Sequence, residues 1–132
     1  MGFLTEFSAQ LLSVLRIISA LLFMAHGTSK LLGWPATEMF ATAPEPMTLM
    51  WFAGVLELVG GAMLAVGLFT RPVAFILSGM MAFAYFIGHA PQATWPVQNG
   101  GDAAILFCFI FLYIAAAGGG PWSVDAMMRK KG

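Results

Sequence analysis

His26 and Lys30 stand four residues apart in "LLFMAHGTSKLLGW" (residues 21–34), a stretch otherwise apolar enough for a lipid bilayer. That spacing puts both on one face of a helix. An imidazole of ordinary pKa takes up and gives back a proton near neutral pH, and an ammonium donates hydrogen bonds to a carbonyl oxygen. Arg16, Glu57 and His89 lie in apolar surroundings too, and Asp102 opens another apolar run. A charge at the bilayer centre costs about 2.5–3.5 kcal/mol on insertion scales, so such residues are expected to face a bundle interior and to pair. The chemistry on offer is proton transfer and hydrogen bonding to a small polar head group held between helices.

Four apolar stretches must position these groups, over about residues 9–33, 48–69, 72–90 and 102–118. The first three match the roughly 17–25 residues that a bilayer core asks for, and the fourth is the shortest. The chain is 60% hydrophobic and 9% charged over 132 residues, too little polar surface to cover a soluble core of this size. The expected fold is all-α, an integral membrane four-helix bundle forming one domain over residues 1–132. "GWPATEMFATAPEP" (33–46), with three prolines, and "PQATWPVQNGG" (91–101) read as loops, and "TRP" (70–72) reads as a tight turn with Pro72 at a helix start. No basic segment precedes the first apolar run, so that run is expected to be a retained helix and not a cleaved leader. Basic residues gather at Arg71 and at Arg129, Lys130 and Lys131, which predicts both termini and the short turn on the cytoplasmic side. Zero net charge gives no electrostatic case for nucleic acid. Cys108 stands alone in an apolar run and reads as a packing residue.

Helical spacing groups the polar residues. Arg16, Ala20, Phe23, Gly27 and Lys30 share a stripe, as do Ser78, Ala82, Tyr85 and His89, and Asp102, Leu106, Phe109 and Tyr113. With residues 21 and 58 taken as midpoints, Arg16 falls roughly 7–8 Å below the centre and Glu57 at it, which predicts an Arg16–Glu57 ion pair. His26, Lys30, His89 and Asp102 fall roughly 7–14 Å above the centre and form a second expected cluster. Structural readings stand beside these. The ion pair could only lock two helices, Lys30 could snorkel to head groups, Asp102 could be a charge favoured by a helix N-terminus, His89 could be an interfacial helix-end residue, and His26 could be a hydrogen-bonded core histidine. No HxxxH or ExxH spacing is present, so no metal site is expected, nor a haem or flavin.

The motifs resemble those of the DoxX family. "RIISALLFMAHGTSKLLGW" is similar to its first-helix signature, an arginine followed by His-Gly and a lysine one turn on. "ELVGGAMLAVGLFTRP" resembles its second-helix motif, and "NGGDAAILFCFIFLYIAAAGGGPWSVD" resembles its last helix and closing Gly-Pro-x-Ser-x-Asp segment. Asp102 stands where many members carry glutamate, and an extra glycine precedes the proline. The resemblance implies a four-helix, multi-pass protein of the bacterial inner (plasma) membrane. It carries Arg16, His26, Lys30, Glu57 and Asp102 over as family positions, and it implies a link to membrane oxidoreductase complexes and quinone chemistry.

The expected function is therefore quinone-linked oxidoreduction, with a quinone or quinol head group in an outer-leaflet polar pocket. His26, Lys30 and Asp102 are the candidates to act on the head group. Arg16, Glu57, Tyr85, His89, Phe23 and Trp34 are the candidates to bind or flank it. Electrons would come from a redox partner protein or a soluble reductant, since the sequence shows no redox-active cysteine pair. A homo-oligomer is one candidate assembly, and the bilayer itself is the first partner. A non-catalytic anchor or scaffold for a redox complex, and a small-molecule or ion transporter, are the alternatives.

Overall fold

A computed structural model describes residues 2–131, Lys131 by its backbone alone. The regular elements among the described residues are all helical. The five longer helices are α1 (Ser8–Leu32), α2 (Leu49–Val66), α3 (Thr70–Gly88), α4 (Asp102–Ala117) and α5 (Val124–Lys131). The tip of the basic tail, the Lys131 side chain and Gly132, lies outside the described residues. Segments Ser8–Leu32, Leu49–Val66 and Thr70–Gln92 are each long and apolar enough to cross a membrane. At 16 residues α4 is about 24 Å long, short of the roughly 30 Å hydrocarbon core. The chain is thus an all-α, multi-pass membrane protein.

Local chemistry sets the boundaries. The second apolar stretch runs to residue 69, yet α2 stops at Val66 because Gly67 turns left-handed (φ 74°). The Leu68 N–H then returns to the Met63 carbonyl and the Gly67 N–H to Leu64, the paired bonds of a Schellman cap. The next helix restarts at Thr70, so Pro72 sits in its first turn, where no intrahelical N–H is needed. Thr48 caps α2 by accepting from the Trp51 N–H at 3.3 Å.

α1 packs chiefly on α2, and α3 on α4. The α1–α2 contact depends on glycine. A methyl at Gly27 would lie 2.7 Å from the Leu58 nitrogen and 2.9 Å from the Gly54 oxygen, so only hydrogen lets the backbones approach this far. Ser78 Oγ donates to the Cys108 carbonyl across the α3–α4 contact at 2.7 Å. The core between the helices is Ala20, Phe23, Leu64, Ala74, Leu77, Met81, Phe111 and Ile114. Phe23 meets the Phe111 ring edge-on at 5.0 Å. Exposed Leu21, Leu22, Phe75, Ile76, Phe83 and Phe86 leave the outer faces apolar, as lipid contact requires.

One stripe is corrected. Asp102, Leu106, Phe109 and Tyr113 face outward, and α4 turns Ala104, Phe111 and Ile114 inward instead. α4 is apolar all round, so its polar ends were the only cue to a face, and packing against α3 decides otherwise.

Candidate functional site

The polar side chains gather at the two ends of the bundle. One end holds the short 67–69 turn and α5, the other the loops 33–48 and 89–101.

At the turn end, Arg16 is fully buried. Its guanidinium donates to the carbonyls of Gly119, Trp122 (2.7 Å) and Ala65 (3.4 Å). Ser13 Oγ donates to Gly119 O at 3.1 Å and accepts from the Trp122 N–H at 3.1 Å. The segment after α4 is irregular, so its carbonyls have no helical partners, and α1 supplies the donors that bury them. Ser123 caps α5 by accepting the Ala126 N–H at 3.1 Å. Asp125 in turn caps α3, its two oxygens accepting the N–H groups of Phe69 (2.9 Å) and Thr70 (2.8 Å). Partial burial pushes the Asp125 carboxyl upward. The contacts from Thr70 and Phe69 and the nearby Arg129 charge outweigh it and hold its pKa below the usual carboxylate value.

This overturns the Arg16–Glu57 ion pair. The α1–α2 register sets Gly27 against Glu57 and Arg16 against Ala65. Midpoint counting had put residue 22 opposite Glu57, an error of five residues or about 7–8 Å. Glu57 pairs with Lys30 instead, Nζ donating to Oε1, and this is the ion pair found among the described residues. Glu57 is 2% exposed, and its second carboxylate oxygen, Oε2, has no hydrogen-bond partner.

At the loop end the chain folds back over this pair. Ser29 Oγ donates to the Pro35 carbonyl at 2.7 Å, which holds the start of the loop on α1. Lys30 Nζ lies 5.3 Å from the centre of the Phe40 ring, a cation–π contact. Beside it opens a cleft of about 330 Å³ whose walls include His26, Ser29, Pro35, Met39 and Phe40. His26 is exposed, and its Nδ1 lies 3.0 Å from the Leu22 carbonyl. A carbonyl only accepts, so Nδ1 is the donor and Nε2 of the neutral ring is left as an acceptor.

The other expected residues fall elsewhere. His89 Nδ1 donates to Asn99 O at 2.9 Å and stacks along Tyr85 at 6.4 Å. Asn99 Nδ2 reaches the Tyr85 hydroxyl at 3.2 Å and the Ala93 carbonyl at 3.1 Å. These bonds order the 89–101 loop. Asp102 is exposed at the first residue of α4, a position that suits a negative charge. Phe23 belongs to the core, and Trp34 is 75% exposed at the start of the first loop. The structure therefore sets the buried Lys30–Glu57 pair behind Phe40, which is in the wall of a cleft that His26 also lines. Tyr85 and His89 belong to a neighbouring loop assembly, and Arg16 lies at the far end. No group of three or more His, Cys, Asp or Glu residues among the described residues could hold a metal ion.

Sequence reasoning did not single out Ser13 or Phe40, and it placed Thr70, Ser123 and Asp125 within motifs without giving them a role. A signal was present for two of them: Ser123 before an acidic first turn is a helix-start pattern, and Asp125 is part of it.

The DoxX family pattern matches residues 11–90. This chain belongs to the DoxX family. Among its relatives, a Haemophilus influenzae protein without an assigned function is 40% identical over 99% of this chain and 100% of its own length. Inner membrane protein YqjF of Escherichia coli is 27% identical over 89% of this chain and 92% of its own. CatD of Bacillus subtilis, provisionally named an oxidoreductase, is 32% identical over 49% of each. No solved structure matches the chain. Its apolar spans and its inner-membrane relatives make this DoxX protein a multi-pass protein of the bacterial inner membrane.

Proposed function

We propose that this DoxX protein takes part in quinone-linked oxidoreduction and holds a quinone or quinol head group in the cleft beside His26. The observation that carries the reading is the buried Lys30–Glu57 pair, with its free carboxylate oxygen, next to a largely apolar cleft at one end of the helices. A bare ion pair in that position stabilises little, because its desolvation offsets its attraction. As chemistry it is well suited. Quinone reduction consumes two protons along with two electrons. His26 Nε2 would exchange one with the head group, and Lys30, backed by Glu57, would hydrogen-bond the second oxygen. Phe40 and Pro35 would flank the ring. Arg16, Phe23, Trp34, Tyr85, His89 and Asp102 are left out of direct contact in this reading. Family membership and the provisional oxidoreductase name of CatD point the same way. Electrons would arrive from a redox partner protein or a soluble reductant.

In this reading all of residues 1–132 form one unit, α4 completes a four-span bundle, and both termini face the cytoplasm with Arg71, Arg129 and Lys130. The cleft then opens toward the outer leaflet. A non-catalytic anchor for a redox complex is the second reading, and the exposure of His26 outside the packed core favours it. His26→Ala separates them. Quinol-analogue binding, followed by tryptophan fluorescence with Trp34 as the nearby reporter, should weaken at least about tenfold. The thermal midpoint should move by no more than about 0.5 kcal/mol of stability, as for an exposed residue. Unchanged affinity, or no binding by the parent protein, would favour the anchor.

A further inference from the structure

The turn end carries a second cavity, of about 500 Å³, remote from the His26 cleft. Its wall is built from the start of α3, the Gly118–Gly120 turn, α5 and one edge of α1. Two guanidinium groups line it, Arg71 and Arg129. Arg71 donates through Nη1 to the Ala116 carbonyl at 2.8 Å, and its other face borders Gly118, where an added methyl would lie 3.3 Å from Nη2. Arg71 is thus anchored by one nitrogen with others free for a ligand. Asp125 is the carboxylate in this wall, and its oxygens are already taken by the Phe69 and Thr70 N–H groups. Two positive groups against one negative group leave the wall net cationic.

A further observation points to a ligand. Thr70 also lines the cavity, is 1% exposed, and its Oγ1 has no hydrogen-bond partner. Its N–H donates to Asp125 Oδ2 at 2.8 Å, and its hydroxyl lies close enough to that carboxylate to help lower its pKa without meeting hydrogen-bond geometry. Buried hydroxyls nearly always have a partner. The lining also has apolar members, among them Leu12 and Phe69, which is 56% exposed. A lining that combines guanidinium groups and a hydroxyl with exposed apolar side chains, at one end of a bundle with apolar outer faces, suits an anion that is joined to hydrocarbon.

We propose that this cavity binds a phosphate group, held by Arg71 and Arg129 in the forked geometry that guanidinium offers to phosphate oxygens and by the Thr70 hydroxyl. The apolar lining residues favour the phosphodiester of an anionic glycerophospholipid over free phosphate, with the acyl chains lying along Leu12 and Phe69.

The test uses the full chain in detergent, titrated separately with phosphatidylglycerol, with diacylglycerol of the same chains and with inorganic phosphate. Binding is read by native mass spectrometry and by the shift in melting temperature, since a ligand of the folded state raises it. Phosphatidylglycerol should raise the midpoint by several degrees and diacylglycerol should not. A shift with phosphatidylglycerol alone identifies a lipid, and an equal shift with inorganic phosphate identifies the free ion. Arg129→Gln should weaken binding about five- to tenfold. Lys130→Gln changes the charge equally one residue away, outside the cavity wall, and should change binding less than twofold. Thr70→Val should melt no lower than the parent without ligand, yet lose part of the ligand-induced shift. The proposal is overturned if neither phosphate compound shifts the midpoint, or if Arg129→Gln and Lys130→Gln weaken binding alike.

Discussion

Arg16 and Lys30 are both cations buried on the same stripe of α1, yet the two ends of the molecule use them differently. Arg16 is surrounded by backbone. Its partners are three carbonyls on α2 and in the segment after α4, and Ser13 completes the same knot. No carboxylate is hydrogen-bonded to it, although Asp125 lies at the same end, so the guanidinium serves as a fixed clamp. Lys30 meets a single carboxylate that keeps one oxygen unbonded, beneath a loop and beside a cleft. The comparison teaches that buried charge in a membrane helix is not of one kind. A cation held by main-chain oxygens, as Arg16 is through both Nη atoms, can only hold the fold, whereas a cation held by a titratable side chain has a partner that could also take up a proton.

Breaking the clamp should have the largest effect. Arg16→Met orphans the Trp122 carbonyl and leaves Gly119 O with the Ser13 bond alone, and should cost roughly 3–5 kcal/mol, two or three lost hydrogen bonds to a charged group at about 1.5–3 each. Melting in detergent and yield in the membrane fraction measure it. If Arg16→Met melts like the parent, the guanidinium is dispensable and the contrast between the two ends fails.

The Lys30–Glu57 pair sharpens the contrast. Glu57→Gln leaves a buried lysine without its counter-charge and should lower stability by about 3 kcal/mol. The double variant Lys30→Met, Glu57→Leu should recover most of that loss, since an apolar pair of similar volume replaces the ions. It should not recover quinol-analogue binding. Recovery of both would make the pair a packing element only.

Asp125→Asn is the smallest change, about 1 kcal/mol for a weakened cap on α3. Its pH dependence is diagnostic. The folded-state pKa of Asp125 lies below its ordinary value, so its contribution is fully present above about pH 3.9. It is lost as pH falls through the lower folded-state value. Acid melting curves of the parent should show that loss, and those of Asp125→Asn should be flatter over the same range.

The helices could be read from the sequence because apolar length and loop composition are local properties. The inward stripe of α1, from Arg16 to Lys30, was readable for a similar reason: its polar and small residues recur at helical spacing, and all five are buried. The partner of each cation was not readable. Axial register between α1 and α2 is set by where Gly27 meets Gly54 and Leu58, a contact between residues distant in sequence. Counting from assumed midpoints missed it by more than a helical turn. Phe40 was equally hidden, since a loop residue gains its role only when Ser29 and Pro35 fold the chain back.

The Arg16 clamp also orders events in time. Gly119 follows Arg16 by 103 residues, and translation at about 5–20 residues per second sets roughly 5–20 s between their syntheses. Through that interval the Arg16 guanidinium can reach the Ala65 carbonyl but not those of Gly119 and Trp122, so the clamp closes only after α4 is made. A nascent protein cut short before residue 119 should therefore lack the clamp at this end of α1.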